Sequence, residues 1–159
     1  MIEPKMFQGT LVNVKGTGVL IIGQPGSGKS LAALSLMRSG HKLIADDLML
    51  VTEQDIGRLV GHRIEDNVRI EIRGMGIFQA RALFPNATEA SSPIDFVVEL
   101  THYSPDRDAG RIAPVITETM IMGHNFEKVL APVVAGMDPG FLIELIVRSR
   151  NQWRSFEQT

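Results

Sequence analysis

The stretch GVLIIGQPGSGKSLAAL, residues 18–34, decides how the chain folds. It opens with an apolar run of the kind that forms a strand buried on both faces. A glycine-rich turn follows, and residues 29–39 then carry apolar side chains at helical spacing, with Gly40 placed where a helix would end. Strand, glycine-rich loop and helix in this order are the context in which the pattern G-x-x-x-x-G-K-S binds phosphate.

Each part of this loop has a task in binding phosphate. The glycines let consecutive backbone N–H groups point inward at the oxygens of a triphosphate, and the start of the helix adds partial positive charge. Lys29 would reach the β- and γ-phosphates, and the hydroxyl of Ser30 would ligate Mg²⁺. The alternative is a glycine-rich turn that binds nothing. The residues expected to bind nucleotide are Gly23, Gln24, Pro25, Gly26, Ser27, Gly28, Lys29 and Ser30.

An aspartate pair follows the next apolar segment, residues 42–45. A strand ending in aspartate is the usual second half of such a site, where it holds Mg²⁺ directly or through water. Asp46 would serve the metal, while Asp47 would take a proton from an attacking hydroxyl. Neighbouring strand residues point to opposite faces, so a turn at the strand end must bring both side chains toward the loop. The alternative for either aspartate is that it only caps this turn.

A second charged pair lies in the stretch IEIRGMG, residues 70–76. Glu71 and Arg73 are two residues apart and would share one face of a strand. An arginine beside transferring phosphates neutralises charge, and a carboxylate beside it orients the arginine or contacts the metal. Taken alone, the pair is better explained as part of a solvated strand face.

The rest of the chain predicts an α/β fold in one domain over residues 1–159, with a mixed sheet and few helices. Further strands are predicted over residues 9–15, 48–51, 68–72 and 129–134, with residues 94–100 as a strand or a helix end. Residues 101–111 are polar and predict a mobile loop. Asp138 and Pro139 are typical of an N-cap and first helical residue, so a second long helix should start there.

Composition excludes several classes of function. The net charge of -2, with no cluster of basic and aromatic residues, argues against binding nucleic acid or an anionic membrane. The absence of cysteine excludes disulfides, thiolate zinc sites and cysteine nucleophiles, and the four histidines form no metal-ligand spacing. No signal peptide and no apolar run of about 18 residues is present, which predicts a soluble cytoplasmic protein.

In this order, the segments GQPGSGKS, GHKLIADD and IEIRGMG resemble the catalytic domain of HPr kinase/phosphorylase. The similarity is clearest over residues 9–77 and can be followed to about residue 150. It implies a fold similar to phosphoenolpyruvate carboxykinase around the phosphate loop, and usually a hexamer. The chain begins about 22 residues before the loop, so it resembles the short form of the family or a truncated piece.

The resemblance also implies an activity and roles for individual residues. Family members use ATP or pyrophosphate, with Mg²⁺, to phosphorylate a serine on HPr, the phosphocarrier protein of the sugar phosphotransferase system, and they remove it by phosphorolysis. By resemblance Asp46 is the metal-side aspartate, and Asp47 is the general base of the kinase reaction and the acid of its reverse. Glu71 and Arg73 correspond to active-site residues, Glu71 on the metal side, and Arg107 to an arginine that binds phosphate.

Three positions depart from the family pattern. Gln8 stands where a histidine is usual, Leu31 replaces a glutamate, and residues 132–140 lack the expected Pro-Gly-Arg-Asn. These departures, the last concentrated in residues 135–138, concern regulation, phosphorolysis and choice of partner. Two other interpretations therefore stay open: a related P-loop kinase with another protein or small-molecule acceptor, and a nucleotide- or phosphate-sensing module without turnover.

Overall fold

The structure, a computed structural model, describes residues 2–156, with side chains up to residue 150. The strands are β1 (Lys5–Gln8), β2 (Thr10–Val14), β3 (Thr17–Gly23), β4 (Lys42–Ala45), β5 (Leu48–Asp55), β6 (Arg58–His62), β7 (Arg69–Ile72), β8 (Gly76–Gln79), β9 (Ser91–Pro93), β10 (Phe96–His102), β11 (Val115–Ile121) and β12 (His124–Val133). The helices are α1 (Lys29–Arg38), α2 (Ala80–Leu83), α3 (Pro105–Asp108) and α4 (Pro139–Phe156).

The strands form a large mixed sheet, a smaller sheet and a hairpin. Six strands make the large sheet in the order β11-β12-β10-β3-β2-β4, in which β10 runs parallel to both β3 and β12. Four antiparallel strands, β1-β5-β6-β9, make the smaller sheet, and β7 and β8 form the hairpin. The prediction of an α/β fold with a mixed sheet and few helices is confirmed.

The large sheet is the middle layer of the molecule, which explains the apolar run in β3. Successive side chains of a strand point to opposite faces. Val19 and Ile21 lie in one core cluster with residues of α1 and α4. Leu20 lies in a second cluster, shared with Met49 and Leu59 of the smaller sheet. A strand covered on both faces needs apolar residues on successive positions, and residues 19–22 of β3 supply them.

One edge of the large sheet gathers the predicted site. β3 ends at Gly23, and Leu100 of the parallel strand β10 lies opposite it. β2 is antiparallel to both of its neighbours, so it begins where they end. Thr10 at its start is paired with Ile21, and the next residue of β2 is paired with Ala45 at the end of β4. The phosphate loop, the start of β2 and the aspartate pair therefore meet.

Helix α4 packs closely on α1, the helix that follows the phosphate loop. A Cβ on Gly140 would lie 2.5 Å from Cβ of Ser35 and 2.9 Å from the carbonyl oxygen of Ala32, so only glycine permits this approach. The carboxylate of Asp138 accepts hydrogen bonds from the backbone N–H of Gly140 at 2.9 Å and from the Ser35 hydroxyl at 2.6 Å. The predicted N-cap role of Asp138 is confirmed, and it also ties the two helices together.

Two parts of the prediction need correction. Residues 101–111 are not all loop, because β10 continues to His102 and Pro105–Asp108 form α3. Asp108 is buried there and accepts hydrogen bonds from the Arg107 guanidinium, which holds the pKa of Asp108 down at about 2. The prediction also omitted strands β1, β6, β8, β9 and β11.

None of the helices in residues 2–156 combines the length and apolarity needed to span a membrane.

Candidate active site

A cavity of about 560 Å³ opens over the loop between β3 and α1. Four segments line it: the start of β2, the loop with the first turn of α1, the turn after β4, and the β7–β8 hairpin. The lining residues are Thr10, Pro25, Gly26, Gly28, Lys29, Ser30, Leu31, Asp46, Asp47, Arg69, Glu71, Ile72, Arg73 and Ile77. The structure thus brings the loop, the aspartate pair and the Glu71–Arg73 pair around one space.

The loop is closed by its own lysine. Gly26 and Gly28 have φ values of 84° and 105°, a left-handed conformation that glycine adopts without steric cost. The ammonium group of Lys29 donates hydrogen bonds to the carbonyl oxygens of Gly23 at 2.8 Å and Gln24 at 3.3 Å. These bonds fix a positive charge on the loop, where a phosphate group would bind.

Of the remaining loop residues, only some line the cavity. Pro25 lines the cavity, whereas Gly23, Gln24 and Ser27 are not among its lining residues and shape the loop instead. Ser27 is buried, and a Cβ on Gly23 would lie only 2.4 Å from its Oγ. The backbone N–H of Ser27 donates to the carbonyl of Gln24 at 3.0 Å, which tightens the turn.

Asp46 is held at both carboxylate oxygens. Oδ2 accepts a hydrogen bond from Ser30 Oγ, and Oδ1 accepts one from Thr10 Oγ1, each at 2.8 Å. Burial raises the pKa of Asp46 above its ordinary value, and the two hydroxyl bonds oppose that rise. A cation at this position would favour the ionised carboxylate, because opposite charge stabilises the charged form.

Asp47 reaches the same cavity through an unusual backbone conformation. Its φ is 76°, in the left-handed region that aspartate tolerates better than most residues. Its carbonyl oxygen accepts a hydrogen bond from the N–H of Gly9 at 2.8 Å, which holds the turn. Two adjacent aspartates therefore both line the cavity, as their predicted roles require, and the side chain of Asp47 is exposed.

The β7–β8 hairpin contributes three charged side chains. Ile70 is fully buried, while its neighbours Arg69 and Glu71 are exposed and line the cavity, followed by Arg73 just beyond β7. A Cβ on Gly26 would lie 3.6 Å from Nη1 of Arg73, so this guanidinium reaches the phosphate loop. The sequence prediction missed Arg69, although positions 69, 71 and 73 share the two-residue spacing of one strand face.

Arg107 lies outside the set of residues that line the cavity. Its guanidinium donates to Thr101 Oγ1 at 3.1 Å, to the carbonyl of His102 at 2.8 Å and to the buried Asp108. The end of β10 adjoins Gly23, so Arg107 is anchored near the same edge of the sheet. Its predicted role in binding phosphate stays a prediction.

The three departures from the family pattern also have definite places. Gln8 is exposed at the end of β1 and is not among the residues that line the cavity. Leu31 lines it with 53% of its surface exposed, and it also borders a neighbouring apolar groove of about 510 Å³. Asp138 caps α4 and binds Ser35, so a carboxylate joins the helices here.

The oxygen donors of this site fit Mg²⁺. Ser30 Oγ and Asp46 Oδ2 are 2.8 Å apart in the cavity, and both are the hard oxygen ligands that Mg²⁺ prefers. Among the described residues, no group of three or more His, Cys, Asp or Glu side chains could hold a metal by itself. Such a sparse donor set suits Mg²⁺, which usually takes one or two carboxylates and completes its shell with substrate phosphates and water.

Comparison with known proteins shows which sequences and structures this chain is similar to. The sequence model of the family described as "HPr Serine kinase C-terminal domain" matches residues 1–158. HPr kinase/phosphorylase of Latilactobacillus sakei subsp. sakei is 37% identical over 145 residues, which are 90% of this chain and 46% of that protein. The protein of the same name from Prosthecochloris aestuarii is 32% identical over 145 residues, 89% of this chain and 42% of that protein. The chain spans about half the length of the curated relatives it matches.

A solved structure resembles the whole described fold. The structure of the Hpr(Ser) kinase/phosphatase from Coxiella burnetii superposes on this chain with a TM-score of 0.82 and 27% sequence identity. The superposition covers 97% of this chain and 95% of that one.

Proposed function

The chain belongs to the family of HPr serine kinase C-terminal domains, and with that family as the premise we propose that it is a protein-serine kinase and phosphorylase. Its substrates would be Mg-ATP, or pyrophosphate, and a serine of HPr. The observation that carries the proposal is the meeting of Lys29, Ser30, Asp46 and Asp47 around one cavity. A loop that only senses phosphate would not need the second, exposed aspartate.

Binding begins with an exchange of partners at the loop. The ammonium of Lys29 leaves the carbonyls of Gly23 and Gln24 and takes up the β- and γ-phosphates. Arg73 lies beside the loop at Gly26 and neutralises further charge on the phosphoryl group in transfer. Ser30 and Asp46, with Glu71 across the cavity, would hold Mg²⁺, which neutralises negative charge on the phosphate oxygens when bound.

Asp47 supplies the base of the kinase direction. Its exposed carboxylate takes the proton of the serine hydroxyl as the serine oxygen forms a bond to the γ-phosphorus. The bond from that phosphorus to the bridging oxygen breaks, and its electron pair leaves on ADP. In phosphorolysis an oxygen of inorganic phosphate attacks the phosphoserine phosphorus. The serine oxygen leaves, takes the proton from Asp47, and pyrophosphate is formed.

Three finer parts of the proposal rest on resemblance to the family. Arg107 binds a phosphate at the end of β10, where Asp108 holds its guanidinium in place. The protein assembles as a hexamer, and it works in the cytoplasm, where ATP is available to it. Light scattering tests the assembly, and a monomer in solution would contradict it.

One observation favours a different acceptor for the same chemistry. Leu31 makes one wall of the cavity apolar, at a position where the family usually has a glutamate. A related kinase acting on another protein or a small molecule would keep Lys29, Asp46 and Asp47 and change such a wall. This second candidate shares every step of the mechanism except the identity of the hydroxyl.

Replacing Asp47 by asparagine tests the proposal. Asp47→Asn should lower phosphate transfer from labelled Mg-ATP to HPr by about 100-fold or more, the contribution of a positioned base. Nucleotide affinity should stay within about twofold of wild type, because Asp47 serves as the base rather than as a phosphate ligand. Asp55→Asn makes the same charge change at an exposed position outside the residues lining the cavity and should transfer normally. Near-normal transfer by Asp47→Asn would remove Asp47 from this role.

A further inference from the structure

We infer that Thr10 is a positioning residue that sets the orientation of Asp46 and thereby the affinity of the site for Mg²⁺, an inference that rests on the proposed function. Thr10 is fully buried, and its hydroxyl donates to Asp46 Oδ1 at 2.8 Å. The other oxygen of the same carboxylate faces Ser30. Each oxygen of Asp46 thus has its own hydroxyl partner, one from the phosphate loop and one from β2.

The backbone of β2 holds Thr10 in place. β2 lies between β3 and β4, and Thr10 is paired with Ile21 of β3. Its β-branched side chain has few accessible rotamers, so the direction of its hydroxyl is fixed with the strand. The preceding residue, Gly9, donates its N–H to the carbonyl of Asp47. One two-residue segment therefore fixes both aspartates, the first through its side chain and the second through its backbone.

When Mg²⁺ binds, Thr10 would be the hydroxyl partner that still orients the Asp46 carboxylate. Ser30 Oγ and Asp46 Oδ2 are the oxygens proposed to face Mg²⁺, so their mutual hydrogen bond would give way to bonds with the ion. The Thr10 bond goes to the opposite oxygen, Oδ1, and can persist. Groups that hydrogen-bond to a metal ligand orient it, and their loss typically lowers metal affinity by about 10- to 100-fold.

The chain offers matched variants for this inference. Thr10→Val keeps the branched shape and removes the donor, whereas Thr10→Ser keeps the hydroxyl. Thr52→Val is the control, because Thr52 lies on β5 of the smaller sheet and its hydroxyl contacts Nε2 of His62 at 2.8 Å. Thr52→Val therefore loses a threonine hydroxyl and one side-chain hydrogen bond, as Thr10→Val does, but at a position away from Asp46.

Calorimetric titration with a non-hydrolysable ATP analogue, once with Mg²⁺ and once with EDTA, gives the factor by which the metal tightens nucleotide binding. Thr10→Val should lower this factor about tenfold and leave the affinity in EDTA unchanged. Thr10→Ser and Thr52→Val should keep the wild-type factor. A purely structural role for Thr10 would change the melting temperature and not the factor. If Thr10→Val does not fold, Thr10→Ala carries the same prediction.

The outcomes separate this inference from the proposed function. A wild-type factor in Thr10→Val, with wild-type protein showing a clear metal effect, would overturn the role of Thr10 and leave the proposed kinase site standing. A wild-type protein whose nucleotide affinity does not respond to Mg²⁺ would overturn the proposed metal site, and the role of Thr10 with it.

Discussion

Removal of the loop lysine gives a prediction whose size follows from the structure. Lys29 makes two hydrogen bonds to loop carbonyls, at 2.8 and 3.3 Å, and must break both to take up a triphosphate. In return it gains bonds to charged phosphate oxygens, each of which is worth about 1.5–3 kcal/mol. The exchange should leave a net contribution of about 2 kcal/mol, so Lys29→Ala should weaken nucleotide binding by about 30-fold.

The assay is titration calorimetry with Mg²⁺ and a non-hydrolysable ATP analogue at one fixed salt concentration, because charge effects depend on ionic strength. Lys42→Ala is the matched control. Lys42 lies on the neighbouring strand β4, donates to the carbonyl of Asn86 and is not among the residues that line the cavity. Its replacement removes the same charge and should change the affinity by less than about twofold, because salt screens a charge that lies outside the cavity.

Two results would refute this reasoning. Unchanged affinity in Lys29→Ala would mean that the loop does not bind phosphate through its lysine. An equal loss in both variants would mean that net charge alone, and not the position of Lys29 on the loop, attracts the nucleotide.

Three further predictions follow from other contacts. Gly140→Ala should destabilise the fold by about 2 kcal/mol and lower Tm by about 4–8 °C, because the new Cβ would clash with Ser35 and the Ala32 carbonyl. An unchanged Tm in a thermal melt would contradict this close packing. The pKa of Asp108 is about 2 in the fold, below its ordinary 3.8, so the carboxylate stabilises the protein above about pH 4 and this contribution is lost as pH falls through 2. Urea unfolding between pH 4 and 2 should therefore show a flatter pH dependence in Asp108→Asn, and parallel curves would disprove the linkage. Arg73→Gln should lower transfer by about 100-fold with a smaller loss of nucleotide affinity, and equal losses in both would show that Arg73 serves binding alone.

The phosphate loop and β4 could be predicted because each is a contiguous pattern. Residues 42–45 were predicted as a strand and form β4, and the helix after the loop ends before Gly40, as expected. The apolar run before the loop was predicted to be buried on both faces, and the large sheet is indeed covered on both sides. Both signals are local in the sequence: the spacing of the apolar residues within an element, and the glycine or proline residues that end it.

Apart from β5, the strands of the smaller sheet could not be predicted in the same way. Hydrophobic alternation reveals a strand only where one face is buried, and β1 is largely exposed, with Met6 at 52%. β9 has only three residues and ends in Pro93. β6 contains Gly61, whose missing side chain makes room for Leu11, since a Cβ there would lie 2.4 Å from Cδ2 of Leu11. A glycine required by this packing weakens the local strand signal.

Local sequence patterns also could not predict contacts between residues that are distant in the chain. Thr10 and Asp46 are 36 residues apart in the chain and meet only because β2 lies between β3 and β4. The left-handed turn at Asp47 likewise depends on its bond to Gly9. The prediction required a turn that directs both aspartates to the loop, and the structure supplies the contacts that form it.

The most direct test of the proposed kinase activity is transfer of labelled phosphate from Mg-ATP to purified HPr, run beside HPr in which the acceptor serine is replaced by alanine. The proposed reaction predicts label on wild-type HPr and none on the alanine variant, with inorganic phosphate releasing the label as pyrophosphate. An HPr that stays unlabelled, although the protein binds the nucleotide tightly with Mg²⁺, would contradict the proposed acceptor and favour another hydroxyl or a sensor without turnover.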